Sequence, residues 1–547
     1  MNRRSGVSLA WTAASLSLIV VLAGCRTHSE RYGLHELGVS PQQVREIEPL
    51  ELKKAEPNEV PPEANEPSPA KLELSLPESR ALALENNLRL KTVLIGPSIA
   101  AARVSAEEAR FEASFFANLN ATKLNQPAVN FQGQIAGSQR ESLGGDFGVQ
   151  VPLRTGGVVT FDASDEWDRT NAIGSQFNPY FVSNASVSIS QPLLRNAGQR
   201  VNMYSIRVAA YIRDVNEVRT KLEVINVLAA LDRVYWRLYA ARKELEVRQQ
   251  QYGLAQAQLN RARRLVEAGQ RAQVEIVRAE AGVAEQLQAI IVAENNLRDR
   301  ERELKRVVHK AGVGMESPTV VIPTTEPDPV RYQLERPQLV RAAVENRMEL
   351  LALQLQLLQD ASAIDFARNQ TLPLATLGYT YSVPGFGASQ SDDLQMLFDG
   401  GFYGHTGRLQ MVIPIGNEAA QSRLRQSIYQ RRQHLATRAN REDLIRQEVL
   451  NAADQVEANW QRILAARQTA ILNGRLFEAE QRQFDQGLRT STDVLDAQTK
   501  FTNAQSEEIR ALADYQISLV DVAYATGTLL GSAKVRWEPI VPKTAVD

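Results

Sequence analysis

LDRVYWRLYAARKELEVRQQQYGLAQAQLNRARRLV, residues Leu231–Val266, is the stretch on which the reading of the whole chain rests. Leu231, Leu238, Leu245, Tyr252, Leu259 and Val266 recur at every seventh position. Three places after each stand Val234, Ala241, Arg248, Ala255, Ala262 and Gly269. A period of seven held this long marks helices that supercoil against neighbours, with a large residue at one seam position and mostly a small one at the other. The pattern extends back to about Arg200 without a proline, although Gly253 weakens it. Such a helix is roughly 100 Å long, more than a globular core requires. On this stretch alone, a generic long coiled coil accounts for the pattern equally well.

A second copy argues for more than that. Val449, Val456, Ile463, Ala470, Phe477 and Phe484 keep the same spacing 218 residues further on (449 − 231), with Ala452, Asn459, Ala466, Asn473, Glu480 and Gly487 as their partners. Gly269 and Gly487 therefore occupy one place in the pattern, where each is expected to end a long helix. A shorter block repeats as well. Ala83-Leu84-Glu85-Asn86-Asn87-Leu88-Arg89-Leu90 matches Ala343-Val344-Glu345-Asn346-Arg347-Met348-Glu349-Leu350, and Pro77 matches Pro337 at the same offset. Two blocks repeated in one order predict an internal duplication.

The 547 residues carry a formal net charge of −1, which gives no reason to expect a nucleic-acid partner. Aromatic residues are few (6%), as suits long Ala- and Leu-rich helices. Residues 1–24 read as a signal peptide, with Arg3 and Arg4 before a short apolar run from Leu9 to Leu22. A transmembrane anchor is the other reading, but the run is short and broken by serines. It ends in Leu22-Ala23-Gly24-Cys25, which resembles a lipoprotein cleavage box. Cys25 is the only cysteine, so the chain makes no internal disulfide, and lipid attachment explains the residue well. Arg26 stands where an Asp would retain a lipoprotein in the inner membrane, which favours the outer membrane. Residues 26–70 are polar, with Pro and Glu clustered from Glu56 to Pro69, and read as a tether. A capping box at Ser75-Leu76-Pro77-Glu78 then predicts a helix running to about Phe111.

Beyond that helix the apolar period changes to two. Ala117, Leu119 and Ala121 alternate with polar neighbours, as do Ala185, Val187 and Ile189; Ala375, Leu377, Tyr379 and Tyr381; and Leu409, Met411, Ile413 and Ile415. These are half-apolar strands about nine residues long, suited to a barrel with lipid outside and water inside. An amphipathic sheet on a soluble domain has the same pattern. Two strands per half make four per chain. Membrane barrels need eight or more, and lipid tolerates no open edge, so several chains must pool their strands. Between the first two strands, Phe147, Val149 and Val151, then Val159, Phe161 and Ala163, flank Arg154-Thr155-Gly156-Gly157. This reads as an extra β-hairpin, either an extracellular loop or a part of the barrel. Prolines in Gln191-Pro192 and Ile413-Pro414 end the strand ladders before each long helix.

This arrangement resembles the TolC-type outer-membrane efflux and secretion channels. The likeness runs from Leu74 to Leu530 and rests on the Glu-Asn-Asn helix start, the Gln-Pro-Leu-Leu strand end, the paired Gly turns and the run Phe484-Asp485-Gln486-Gly487-Leu488-Arg489-Thr490-Ser491-Thr492-Asp493-Val494-Leu495-Asp496-Ala497-Gln498. The resemblance implies a mainly α fold with a β membrane section: a trimeric α-helical barrel of long coiled-coil helices below a shared 12-stranded β-barrel in the outer membrane. It implies a homotrimer that works with a periplasmic adaptor protein and an inner-membrane pump, with Gly269, Gly487 and Leu488 at the adaptor-docking tip. It divides the chain into signal peptide 1–24, lipidated tether and collar 25–74, first repeat 75–312, collar linker 313–335, second repeat 336–532 and tail 533–547.

The resemblance also places a periplasmic gate at Arg489, Asp493 and Asp496, with Arg489 holding it shut through polar links. Asp493 and Asp496 share a helix face, and threefold symmetry makes them two acidic rings that attract cations. Their counterparts in the first copy are Glu275 and Arg278. A departure at Arg278 either weakens the inner ring or pairs with Asp496. The five histidines show no metal-ligand spacing. No cofactor and no catalysis are expected, and the expected role is a passive exit duct for an efflux or type I secretion system. A lipid-anchored coiled-coil tether without a pore is the competing class.

Overall fold

The structure is a computed structural model and describes residues 70–129, 135–170 and 177–538. The expected signal peptide, Cys25, residues 26–69 of the expected tether and the end of the tail lie outside the described residues. The chain opens with β1 (Lys71–Leu74), α1 (Leu76–Asn86), α2 (Leu88–Leu94) and α3 (Gly96–Glu108). The capping box is present: Glu78 Oε2 accepts the Ser75 N–H at 2.9 Å, and Ser75 Oγ accepts the Glu78 N–H at 3.3 Å. The single helix expected to Phe111 is broken into three. Asn87 is extended (φ −60°, ψ 120°) and its side chain caps the next helix, and Gly96-Pro97 starts another.

Four strands follow: β2 (Ser114–Val129), β3 (Ile135–Pro152), β4 (Val158–Thr170) and β5 (Tyr180–Pro192). A short α4 (Gln199–Asn202) leads into the 64-residue α5 (Tyr204–Glu267), about 96 Å long at 1.5 Å per residue. The chain returns as α6 (Val274–Val308) and crosses through β6 (Val320–Pro323). The second half runs α7 (Arg336–Asn346), α8 (Met348–Gln370), β7 (Leu374–Gly387), α9 (Gln390–Asp399), β8 (Gly404–Val412), the 68-residue α10 (Glu418–Asp485), α11 (Ser491–Ala525) and α12 (Leu529–Ser532). Arg347 sits extended between α7 and α8 (φ −69°, ψ 122°), as Asn87 does between α1 and α2.

The long helices bury the heptad seam. Leu231 and Leu238 are inaccessible, with Val234 and Ala241 beside them. Towards the far end of α5 the small positions Ala255 and Ala262 become the buried ones, as expected when a helix of 3.6 residues per turn drifts against a repeat of 3.5. In α10 all six residues at the first seam position, from Val449 to Phe484, are buried, Ala470 among them. At mid-height β1 pairs in parallel with β6, and Tyr235 ties the pair to α5: its hydroxyl donates to Leu74 O (3.0 Å) and accepts the Thr325 N–H (2.9 Å).

The other six strands form one antiparallel sheet in the order β2-β3-β4-β5-β7-β8. This corrects the expected four strands per chain and gives the hairpin its place in the sheet. The hairpin is not an appendage, because β2 pairs with β3 and β4 with β5 along their lengths, so the sheet has six strands rather than four. Nor does the hairpin turn lie at the outer end. Gly198 N–H donates to Thr155 O (2.9 Å), which puts Arg154–Gly157 beside the start of the helices. Apart from β8, which has nine residues, the strands of this sheet are also longer than expected, up to 18 in β3. The additional length of β2 and β3 carries polar pairs such as Lys123–Glu141 (2.7 Å). No helix among the described residues is long and apolar enough to cross a membrane.

Candidate functional site at the helical tip

Both long helices end in the same way. At the end of α5, Gly269 takes φ +71°, its N–H donates to Val266 O (2.9 Å), and the Gln270 N–H reaches back to Leu265 O (2.9 Å). At the end of α10, Gly487 takes φ +85°, with its N–H on Phe484 O (3.1 Å) and the Leu488 N–H on Gln483 O (3.0 Å). Each is a left-handed helix stop that satisfies two otherwise orphaned carbonyls. A side chain at Gly269 would meet no neighbouring atom, so the glycine is there for its backbone angle and not for room. Leu488 stands next to the second turn, 72% exposed.

The two turns are tied to one another. Arg271, just past the first, donates to Phe484 O (2.7 Å) and lies over the Phe484 ring at 4.8 Å. Arg261 pairs with Asp485 at 2.6 Å. Beneath them Phe477, Phe484, Val494 and Ala497 make a small core, with Leu265 and Phe501 against it. At Gly282 an added Cβ would sit 2.5 Å from a Leu495 methyl, so this glycine sets how closely α6 approaches α11.

The charged residues expected at the gate all lie at this tip, with partners the sequence did not reveal. Arg489 pairs with Glu480 (3.1 Å) and donates to Gln483 (3.0 Å). Asp493 closes a capping box at the start of α11, where its carboxylate accepts the Thr490 N–H (2.9 Å) and hydroxyl (2.8 Å). Those bonds hold its carboxyl below the ordinary carboxylate range. Asp496 pairs with Lys500 (2.7 Å), one turn on.

The first copy uses its acid differently. Gln273 provides no side-chain cap for α6, and Glu275 reaches across to α11 instead, where Oε2 accepts the buried Ser491 N–H at 2.7 Å. Oε1 pairs with Arg278 at 2.7 Å, so within the chain Arg278 answers Glu275 and not Asp496. Burial pushes the Glu275 carboxyl up, but the Ser491 bonds and the Arg278 charge outweigh it, and the net shift is downward. The sequence pointed to Glu275 only as the counterpart of Asp493, and gave no role to Ser491, Arg271, Arg261 or Lys500. Only the Asp496–Lys500 spacing of four offered a local signal.

Residues 339–528 match the family model described as outer membrane efflux protein. No curated protein matches. Among solved structures, the chain is similar to the CmeC outer membrane channel of Campylobacter jejuni (15% identity, TM-score 0.61, covering 83% of this chain and 86% of that one). It is similar to the outer membrane protein VceC of Vibrio cholerae (14%, TM-score 0.59, 83% and 96%). It also resembles the MtrE outer membrane channel of Neisseria gonorrhoeae solved in its open state (15%, TM-score 0.59, 83% and 89%).

Proposed function

We propose, from the premise that this chain is an outer membrane efflux protein by its matched segment and its channel fold, that three copies assemble into a gated duct crossing the outer membrane and much of the periplasm. One observation carries the assembly. β2 and β8, the two edges of the sheet, have no partner on their outer sides among the described residues. They also carry exposed apolar side chains, Leu119 at 82% and Leu409 at 66%. Lipid tolerates no open edge, so each β2 needs the β8 of another copy. The two strands run in opposite senses, which lets them pair antiparallel around a closed ring.

In this reading the long helices form the periplasmic wall, and the pair β1-β6 with the linker 313–335 forms a collar at mid-height. The signal peptide 1–24 is removed and Cys25 carries lipid. The two halves, 75–312 and 336–532, act as equivalent staves. The Gly269 and Gly487 turns dock a periplasmic adaptor, and Arg489, Asp493 and Asp496 sit where the duct narrows. Energy comes from an inner-membrane pump. The tether alternative leaves the two-faced sheet without a purpose. Ion current through the purified, detergent-extracted protein in a planar bilayer tests the duct, and an SDS-resistant trimer that passes no current would favour the tether.

A further inference from the structure

The hairpin of β3 and β4 has the two-faced character of a membrane wall. Cross-strand partners share a face of the sheet. One row across five strands reads Phe115, Val149, Phe161, Val187 and Tyr381, all apolar or aromatic. A row on the opposite face reads Asn118, Asp146, Ser164 and Asn184, all polar. The alternation passes through the inserted strands without changing sides. A loop packed outside a barrel has no reason to keep its neighbours' lipid-facing register, since a slip of one residue would reverse it. Four charges lie on the apolar side: Asp165, to which Gln390 at the start of α9 donates at 3.0 Å, and Lys123, Glu141 and Arg169, which stand together toward the end of the ladder away from the helices.

The direction of the strands fits as well. A hairpin adds one strand leading away from the helices and one returning, so β5 still delivers the chain to α5. Between β2 and β5 there is no direct pairing; the hairpin fills that place along the whole ladder.

We propose that β3 and β4 are part of the barrel wall, so that each chain contributes six strands. This rests on the duct reading above, and with three copies it makes a barrel of eighteen strands (3 × 6). Barrel diameter grows roughly linearly with strand number, so this barrel is about 1.5 times as wide as one of twelve strands. Barrels of about 16–18 strands enclose an open aqueous channel. The membrane section is then not what limits cargo size, and selection falls to the helical tip. The inserted strands also change the lumen: Asp146, Asp162 and Glu166 lie on the polar face and bring carboxylates that the flanking strands lack.

The experiment is an electron cryomicroscopy reconstruction of the full-length protein in lipid nanodiscs, counting strands per chain and chains per particle. Six strands per chain is the expected result. Four, with the hairpin outside the wall, overturns the proposal. Six per chain in a ring of other than three copies supports the insertion and removes the trimer. Labelling gives a second reading on neighbouring positions. In membranes, Asp162→Cys should react with a water-soluble maleimide while Phe161→Cys loses that labelling, each compared with the unsubstituted chain. Equal labelling of the two overturns the assignment.

Discussion

Glu275 holds the two returning helices together at the tip, and removing it should loosen the closed duct. Its carboxylate makes two contacts, one with the Ser491 N–H at 2.7 Å and one with Arg278 at 2.7 Å. Ser491 is fully buried, so Glu275→Ala leaves its N–H without that acceptor. A hydrogen bond to a charged group contributes about 1.5–3 kcal/mol, or roughly one to two powers of ten in an equilibrium at about 1.4 kcal/mol per tenfold. If the duct opens by parting these helices, the open fraction rises by about that factor for each chain that acts. Glu275→Gln retains an acceptor without the charge and should fall between. The pH dependence has a definite sign. The folded carboxyl titrates below its ordinary value, so the latch is at full strength above the ordinary carboxylate range and weakens as pH falls through the folded value. Single-channel open probability in planar bilayers is the assay, with SDS-resistant oligomer as the control for folding. An intact oligomer of Glu275→Ala with unchanged open probability would refute the latch.

Other outcomes follow from the same geometry. Asp496→Ala and Lys500→Ala remove opposite charges from one pair. They should shift the reversal potential in a salt gradient in opposite directions, the first lowering cation preference and the second raising it; no shift in either places the pair outside the ion path. Gly269→Ala and Gly487→Ala each put a side chain on a left-handed residue, at a cost of about 1–2 kcal/mol. The strain is confined to the tip, so adaptor binding should weaken while the oligomer survives. An adaptor affinity equal to that of the unsubstituted chain would move the docking site elsewhere. Arg347 is 4% exposed and pairs with Glu349 (2.8 Å) and Glu448 (2.7 Å). Arg347→Met should destabilise the chain by about 1.5–3 kcal/mol, because Glu349 and Glu448 lose one charged partner and keep only Arg441. Thermal unfolding measures this, and a loss below 1 kcal/mol would contradict it.

What was legible in the sequence depended on how far apart the interacting residues lie. The heptads, the helix stops at Gly269 and Gly487 and the capping box at Ser75 are local, and each depends on a backbone angle or spacing visible within one or two turns. Asp493 was local too: Thr490-Ser491-Thr492-Asp493 has the spacing of a capping box. The break at Asn87 was missed because its cause is an extended residue whose side chain caps the next turn, within a run that otherwise looks helical. The hairpin was recognised, but not its place. Alternation is the same in a free hairpin and in one paired on both sides, and only the pairing of β2 with β3 and of β4 with β5 distinguishes them. Glu275 and Ser491 are 216 residues apart, and nothing near either residue announces the other.

The central claim is that this chain builds a conducting duct. Planar-bilayer recording of the purified full-length protein, alongside the Glu275→Ala variant, tests it most directly. Discrete openings from an SDS-resistant trimer, more frequent in the variant, are the expected result. A stable trimer that passes no current in either form would contradict it.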